Sequence, residues 1–129
     1  MAPRRRVAVC IDPVYNIRLC FIYGPASWQT VRLLRQFDPD GIVDRAYLAD
    51  ARGVTVHGNG ASVAIWVEAT GDVVEDVAVV AHECQHAVLY VLGRAGMQPT
   101  DESSEAYTYY MEFLMRFCLS AFLDGKSVW

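Results

Sequence analysis

Apolar residues gather into short β-prone blocks through the first half of the chain and recur at helical spacing through its last third. Arg5 to Asp12 and Ile17 to Tyr23 are rich in Val, Ile, Tyr and Phe, with the turn formers Asp12, Pro13 and Asn16 between them. Two strands paired antiparallel are predicted. Pro25 and Ser27 open a pattern that puts Trp28, Val31, Leu34 and Phe37 on one side, and Asp38-Pro39-Asp40-Gly41 closes it, which predicts a first helix. Residues Ile42 to Ala51 fit no single period and read as an irregular connection. Val54 to His57 and Ala61 to Ala69 flank Gly58-Asn59-Gly60, a turn sequence between β-prone runs, which predicts a second hairpin.

Asp72 is a candidate N-cap. Beyond it Val77, Val80, Ala81, Cys84, Val88, Val91 and Leu92 recur at helical spacing, giving a helix from about Val73 to Leu92 that Gly93 or Gly96 ends. Val74, Val79, Ala87 and Leu89 widen its apolar arc until it is nearly complete, the pattern of a helix buried between layers. Thr100 or Asp101 caps a last helix whose core stripe is Tyr107, Tyr110, Met111, Leu114, Phe117, Cys118 and Ala121, ending near Gly125. The sum is an α+β fold: a sheet of about four strands, antiparallel or mixed, packed with three helices.

At 129 residues and 53% hydrophobic, the chain can bury one core and is short for two, so residues 1–129 are expected to form a single domain. Net charge is −4 and positive charge is concentrated only at Arg4, Arg5 and Arg6, which argues against a phosphate-binding surface and against nucleic acid as a partner. Asp12 and Pro13 stop the apolar run from Val7 to Ile11, so the start does not read as a signal peptide. No apolar run approaches the roughly 18 residues needed to cross a bilayer. A soluble, cytoplasmic protein without a membrane partner is the expectation. Cys10, Cys20, Cys84 and Cys118 stand singly, without C-x-x-C spacing, and read as small buried hydrophobes.

The chemistry concentrates at His82-Glu83-Cys84-Gln85-His86, an HExxH sequence inside the predicted long helix. Residues four apart share a helix face, so His82 and His86 can close on one metal ion, and Glu83 beside them can take a proton from metal-bound water without being a ligand. A zinc ion (Zn2+) is the implied cofactor. Cys84 falls about 200° around the helix from His82 and should face the core. Two imidazoles buried on an apolar helix need a partner, which strengthens the metal reading, while hydrogen bonds within the core are the bland alternative.

A zinc site open to water needs a third protein ligand, and no His follows His86. Asp101, Glu102, Glu105, Glu112 and Asp124 are the candidates. Glu105 is preferred because its helix can return antiparallel beside the motif, with Glu102 next. Against this, Glu105, Tyr109, Glu112 and Arg116 share one stripe opposite the core stripe, which a solvated face also explains.

HECQH followed after 18 residues by Glu105 resembles the gluzincin class of zinc peptidases, in which a Glu on the next helix completes HExxH. Ala81 to Ala87, Gly96 and Ser104-Glu105-Ala106-Tyr107 are similar to small phage-encoded HExxH proteins with a downstream Glu-Ala-Tyr, and to the anti-repressor type of small metallopeptidase on mobile elements. Residues from about 77 to 114 carry the resemblance. It implies a zincin-like fold whose edge strand, here Ala61 to Ala69, lies along the cleft to pair with an extended peptide or protein substrate. His82, His86 and Glu105 would bind zinc and Glu83 would activate water. Thermolysin-like enzymes carry an acidic residue four after the ligand Glu; this chain has Tyr109, which leaves the first His without that support and makes Tyr109 a candidate oxyanion donor, with His57 and Tyr107 as alternatives.

The function implied is a zinc metallopeptidase that hydrolyses a peptide bond. A different class stands beside it: a phage assembly or virion component that keeps the zincin fold, with or without its metal, and has phage structural proteins as partners. A third reading is an interaction module without metal, its imidazoles bonded to protein groups. Phage origin would place the protein in the host cytoplasm or the virion.

Overall fold

The computed structural model describes residues 5–41, 43–58 and 60–124. The elements in order are β1 (Arg6–Ile11), β2 (Arg18–Gly24), α1 (Trp28–Arg35), α2 (Arg45–Ala49), β3 (Gly53–His57), β4 (Ser62–Glu68), α3 (Val73–Arg94) and α4 (Ser104–Asp124). The sheet has the order β1-β2-β4-β3, with both hairpins antiparallel and a parallel seam between β2 and β4. The result is α+β with a mixed four-stranded sheet.

Strand alternation sorts the apolar residues to two cores. Ala8, Cys10, Leu19, Phe21, Tyr23, Val63, Ile65 and Val67 face α3 and α4, whereas Cys20, Ile22, Val54, Val56, Ala64 and Trp66 face Val31, Leu34, Phe37, Val43 and Leu48 on the α1–α2 side. The sheet is thus the middle of three layers. β2 and β4 are covered on both faces, while β1 leaves Val7, Val9 and Ile11 exposed on its outer face.

Both predicted hairpins form. Asp12 is buried in the first turn, where its carboxylate accepts from the backbone N–H groups of Val14 (2.7 Å) and Tyr15 (3.2 Å), and Asn16 takes a left-handed φ of 55°. Asn59 of the second turn and the predicted helix end at Gly125 lie outside the described residues.

Three expectations are corrected. The strand over Ala61 to Ala69 is not an edge: β4 lies between β2 and β3, and the edge beside the long helix is β3. The unbroken apolar run of β4 suits a strand buried on both faces. Part of the stretch read as irregular is helical, because Asp44 accepts a bond from Tyr47 N (2.7 Å) and Leu48 anchors one turn in the core. Among the described residues there are therefore four helices rather than three. The last helix begins at Ser104 instead of just after Thr100, since Thr100 and Ser103 bond to each other across a preceding turn.

α3 is held at both ends. At its start the Asp72 carboxylate accepts from Glu75 N (3.2 Å). Asp76, fully buried, accepts from the Tyr23 hydroxyl (2.6 Å), the Thr70 hydroxyl, Thr70 N (3.1 Å) and Gly71 N (3.3 Å). At its end the helix runs through Gly93, and Gly96 at φ +84° closes it with Met97 N donating to Leu92 O (2.9 Å). Among the described residues no helix is long and apolar enough to cross a membrane.

Candidate metal cleft

Gly53 sets the distance between β3 and α3. A Cβ there would lie 2.7 Å from Val79 Cγ1, 3.0 Å from Glu83 Cγ and 3.0 Å from the Trp66 carbonyl oxygen. Only a glycine lets the strand pass this close to the motif helix. Two residues on, the Thr55 hydroxyl sits 2.8 Å from Glu83 Oε1 and 3.0 Å from the Glu83 carbonyl oxygen, both acceptors. Two residues further, the His57 ring stacks on Tyr90 with centroids 3.8 Å apart and planes 14° from parallel, while the Tyr90 hydroxyl donates to Gly58 O at 3.4 Å. Residues 53, 55 and 57 therefore form one row along α3, as strand alternation requires.

On α3 itself His82 and His86 sit one turn apart with their Nε2 atoms 3.2 Å from each other. Two zinc–nitrogen bonds of about 2.05 Å meeting at a tetrahedral angle place their nitrogens roughly 3.3 Å apart, so the pair is spaced for one ion. The same separation also suits an N–H···N hydrogen bond between the rings. Glu83 Oε2 lies 3.9 Å from His82 Nε2. With Oε1 held by Thr55, the other carboxylate oxygen is turned toward the imidazoles.

These side chains line a cleft of about 370 Å³ formed by Tyr47, Gly53, Val54, Thr55, His57, His82, Glu83, His86 and Tyr90. A second depression continues from His82 and Glu83 past Gly53 to Arg52 and Ala78, so the groove follows the β3 edge.

Burial departs from the sequence expectation at the two imidazoles and agrees with it at Glu83. His82 and His86 are exposed, the His82 side chain to 68%, and Glu83 is the buried member at 6%. The apolar arc of α3 is wide, but the sheet and α4 cover only part of it, leaving Val73, Val74 and Leu89 in solvent along with the two rings. Cys84 does face the core, its Sγ 3.7 Å from that of Cys118 on α4.

The structure does not bring the expected third ligand to the pair. α4 packs on the flank of α3 that carries Cys84, Gln85 and Val88, where Tyr107, Thr108 and Met111 approach. That flank is roughly opposite the His82, Glu83 and Tyr90 flank on a helical wheel. Glu105 and Glu102 are exposed and are not among the residues lining the cleft, and Asp101 is likewise exposed. Glu112 pairs with Arg116 one turn away at 2.6 Å, as a solvated stripe would. The Asp124 side chain lies outside the described residues.

Among the described residues no group of three or more His, Cys, Asp or Glu is gathered closely enough to hold a metal ion. Tyr109 lines a different, largely apolar depression with Pro13, Tyr15 and Phe113, and the Tyr107 hydroxyl donates to Met97 O (3.0 Å). Of the three candidate oxyanion donors only His57 lines the cleft.

Sequence reasoning missed Tyr47, Gly53, Thr55 and Tyr90. Tyr90 carried a usable signal, since it follows His86 by four residues and shares its helix face. Thr55 and Gly53 carried one only in the alternation of β3. No protein family matches this chain, and neither a curated protein nor a solved structure matches it.

Proposed function

We propose that this chain is a small zinc-dependent hydrolase acting on peptide bonds, with His82 and His86 holding the ion and Glu83 serving as general base. The observation that carries the proposal is the 3.2 Å separation of the two Nε2 atoms beside a buried carboxylate that already has one oxygen engaged. Zinc bound there supplies acidification of a water molecule and polarisation of a carbonyl oxygen.

The chain's own residues do the rest. Thr55 fixes the rotamer of Glu83 by bonding Oε1, so Oε2 is left to accept a proton on the His82 side. A base must be positioned before its basicity matters, and Gly53 permits that positioning by bringing the strand against the helix. Tyr47, a cleft residue on α2, offers a phenol for developing negative charge, in place of Tyr109.

The edge position of β3 supports the choice of a peptide as substrate. Among the described residues β3 pairs with β4 alone, so its other side offers backbone N–H and C=O groups along the groove, the arrangement that an extended peptide completes as an added strand. Glu105 is not carried into this proposal.

Elemental analysis of the purified protein, with a peptide-cleavage comparison of wild type and Glu83→Gln, tests it. About one zinc per chain is expected in both proteins, with turnover lost in Glu83→Gln. Unchanged metal content after combined His82→Ala and His86→Ala substitution would sink it.

The ring separation also fits a direct hydrogen bond between the imidazoles, and this favours a second reading, an interaction module without metal. Protein that takes up no zinc and still shows the two rings sharing a proton supports that reading.

A further inference from the structure

We propose that His57 is the third protein ligand of the metal site, completing a three-histidine set with His82 and His86; this rests on the zinc reading of that pair. The chain has three histidines, and all three line one cleft. They come from two elements that nothing in the sequence links, an edge strand and the helix after the next strand.

The register of β3 on α3 explains how they meet. Gly53 lies against Val79 and Glu83, Thr55 bonds Glu83, and His57 stacks on Tyr90. Strand and helix therefore run in the same sense, and the strand's last residue reaches the helix one turn, about 6 Å, beyond His86. The Tyr90 hydroxyl bonded to Gly58 O ties the strand end at that level.

The stack engages the face of the imidazole and leaves the ring nitrogens at its edge for other partners. An open tetrahedral site built from three imidazoles and a water is an established type for catalytic zinc. Glu83 then stays available for proton transfer, which a metal-binding role would deny it. As placed, the three rings do not surround a common point, so binding requires His57 to leave the Tyr90 face by side-chain rotation. The strand backbone stays where Thr55 and Tyr90 hold it.

Zinc X-ray absorption on the wild-type protein counts bound imidazoles directly and does not depend on any variant folding. Three imidazoles are expected. Competition with a chelator then compares wild type, His57→Phe and Glu105→Ala. Phe keeps an aromatic ring on Tyr90 and removes the nitrogens. Because removing a residue that merely supports a ligand costs 10–100-fold in metal affinity, His57→Phe should cost about 100-fold or more, with the imidazole count falling to two, and Glu105→Ala should change neither. Wild type with two imidazoles, or His57→Phe with unchanged affinity, overturns the assignment of His57 and leaves the His82–His86 pair standing. Wild type that binds no zinc overturns the pair itself.

Discussion

Replacing Gly53 by alanine adds one methyl group, and its effect can be worked from the contacts around it. The new carbon would sit 2.7 Å from Val79 Cγ1, about 0.7 Å short of ordinary contact, with Glu83 Cγ and the Trp66 carbonyl oxygen each at 3.0 Å. Trp66 is fully buried in the neighbouring strand and its backbone is fixed by pairing on both sides, so it cannot yield. The strain falls on Val79 and Glu83, that is, on the gap between β3 and α3. Overpacking of this kind costs about 1–3 kcal/mol. For a chain of this length that is a fall of roughly 4–12 °C in Tm.

The same methyl at Gly93, which meets nothing within 4 Å and lies inside α3, should instead stabilise by up to about 1 kcal/mol through helix propensity. Thermal unfolding of the two variants therefore gives opposite signs for one chemical change. In Gly53→Ala, the His82–His86 pair should keep its spacing because both residues are carried by the helix alone, while turnover falls as the Glu83 carboxylate moves. A Gly53→Ala protein with wild-type Tm and wild-type turnover would show that β3 does not set the position of the base.

Thr55→Val removes the hydroxyl that bonds Glu83 Oε1 and keeps the β-branched shape, so peptide turnover should drop by about 10-fold or more with metal content unchanged, read by kcat and zinc analysis. Burial alone would raise the Asp76 carboxyl, but bonds from Thr70, Tyr23 and the N–H groups of Thr70 and Gly71 hold it below the usual carboxylate range. A lowered folded-state value means its contribution is present above the unfolded value of roughly 3.9 and is lost as pH falls through the folded one. Asp76→Asn should thus cost on the order of 2 kcal/mol at neutral pH and flatten the acid limb of the stability curve, measured by denaturant unfolding between pH 7 and 2. Burial pushes the Cys10 thiol up to about 11 and the Cys20 thiol to about 12, and Cys118 also rises, so a thiol reagent at pH 7 should label these three cysteines only through unfolding.

Local chemistry made much of the fold readable. Asp12 and Asn16 specify the first turn, Asp72 caps α3 and Gly96 closes it, and each acts through bonds to residues near in sequence. The His82–His86 spacing was legible for the same reason, being a property of one helix. What could not be read was the flank of α3 that each neighbour would occupy. A wheel shows Glu105 on a helix able to return beside the motif, yet it does not say that α4 docks on the Cys84 and Val88 side. The exposure of the two histidines was hidden likewise, because an apolar arc wider than its cover leaves some residue outside. The central position of β4 did have a signal, its unbroken run from Val63 to Val67, whereas the edge role of β3 depended on the parallel seam between β2 and β4.

Among the described residues, all those lining the cleft belong to the stretch from Tyr47 to Tyr90. Its parts are joined by short loops, and the contacts that close it, Thr55 to Glu83 and Tyr90 to Gly58, span 28 and 32 residues, so the arrangement needs nothing from either flank of the stretch to define it. The opening hairpin and the closing helix are then a chassis: inheritance is free to rewrite their surfaces, and an engineer to graft onto them, with the working parts left as they are.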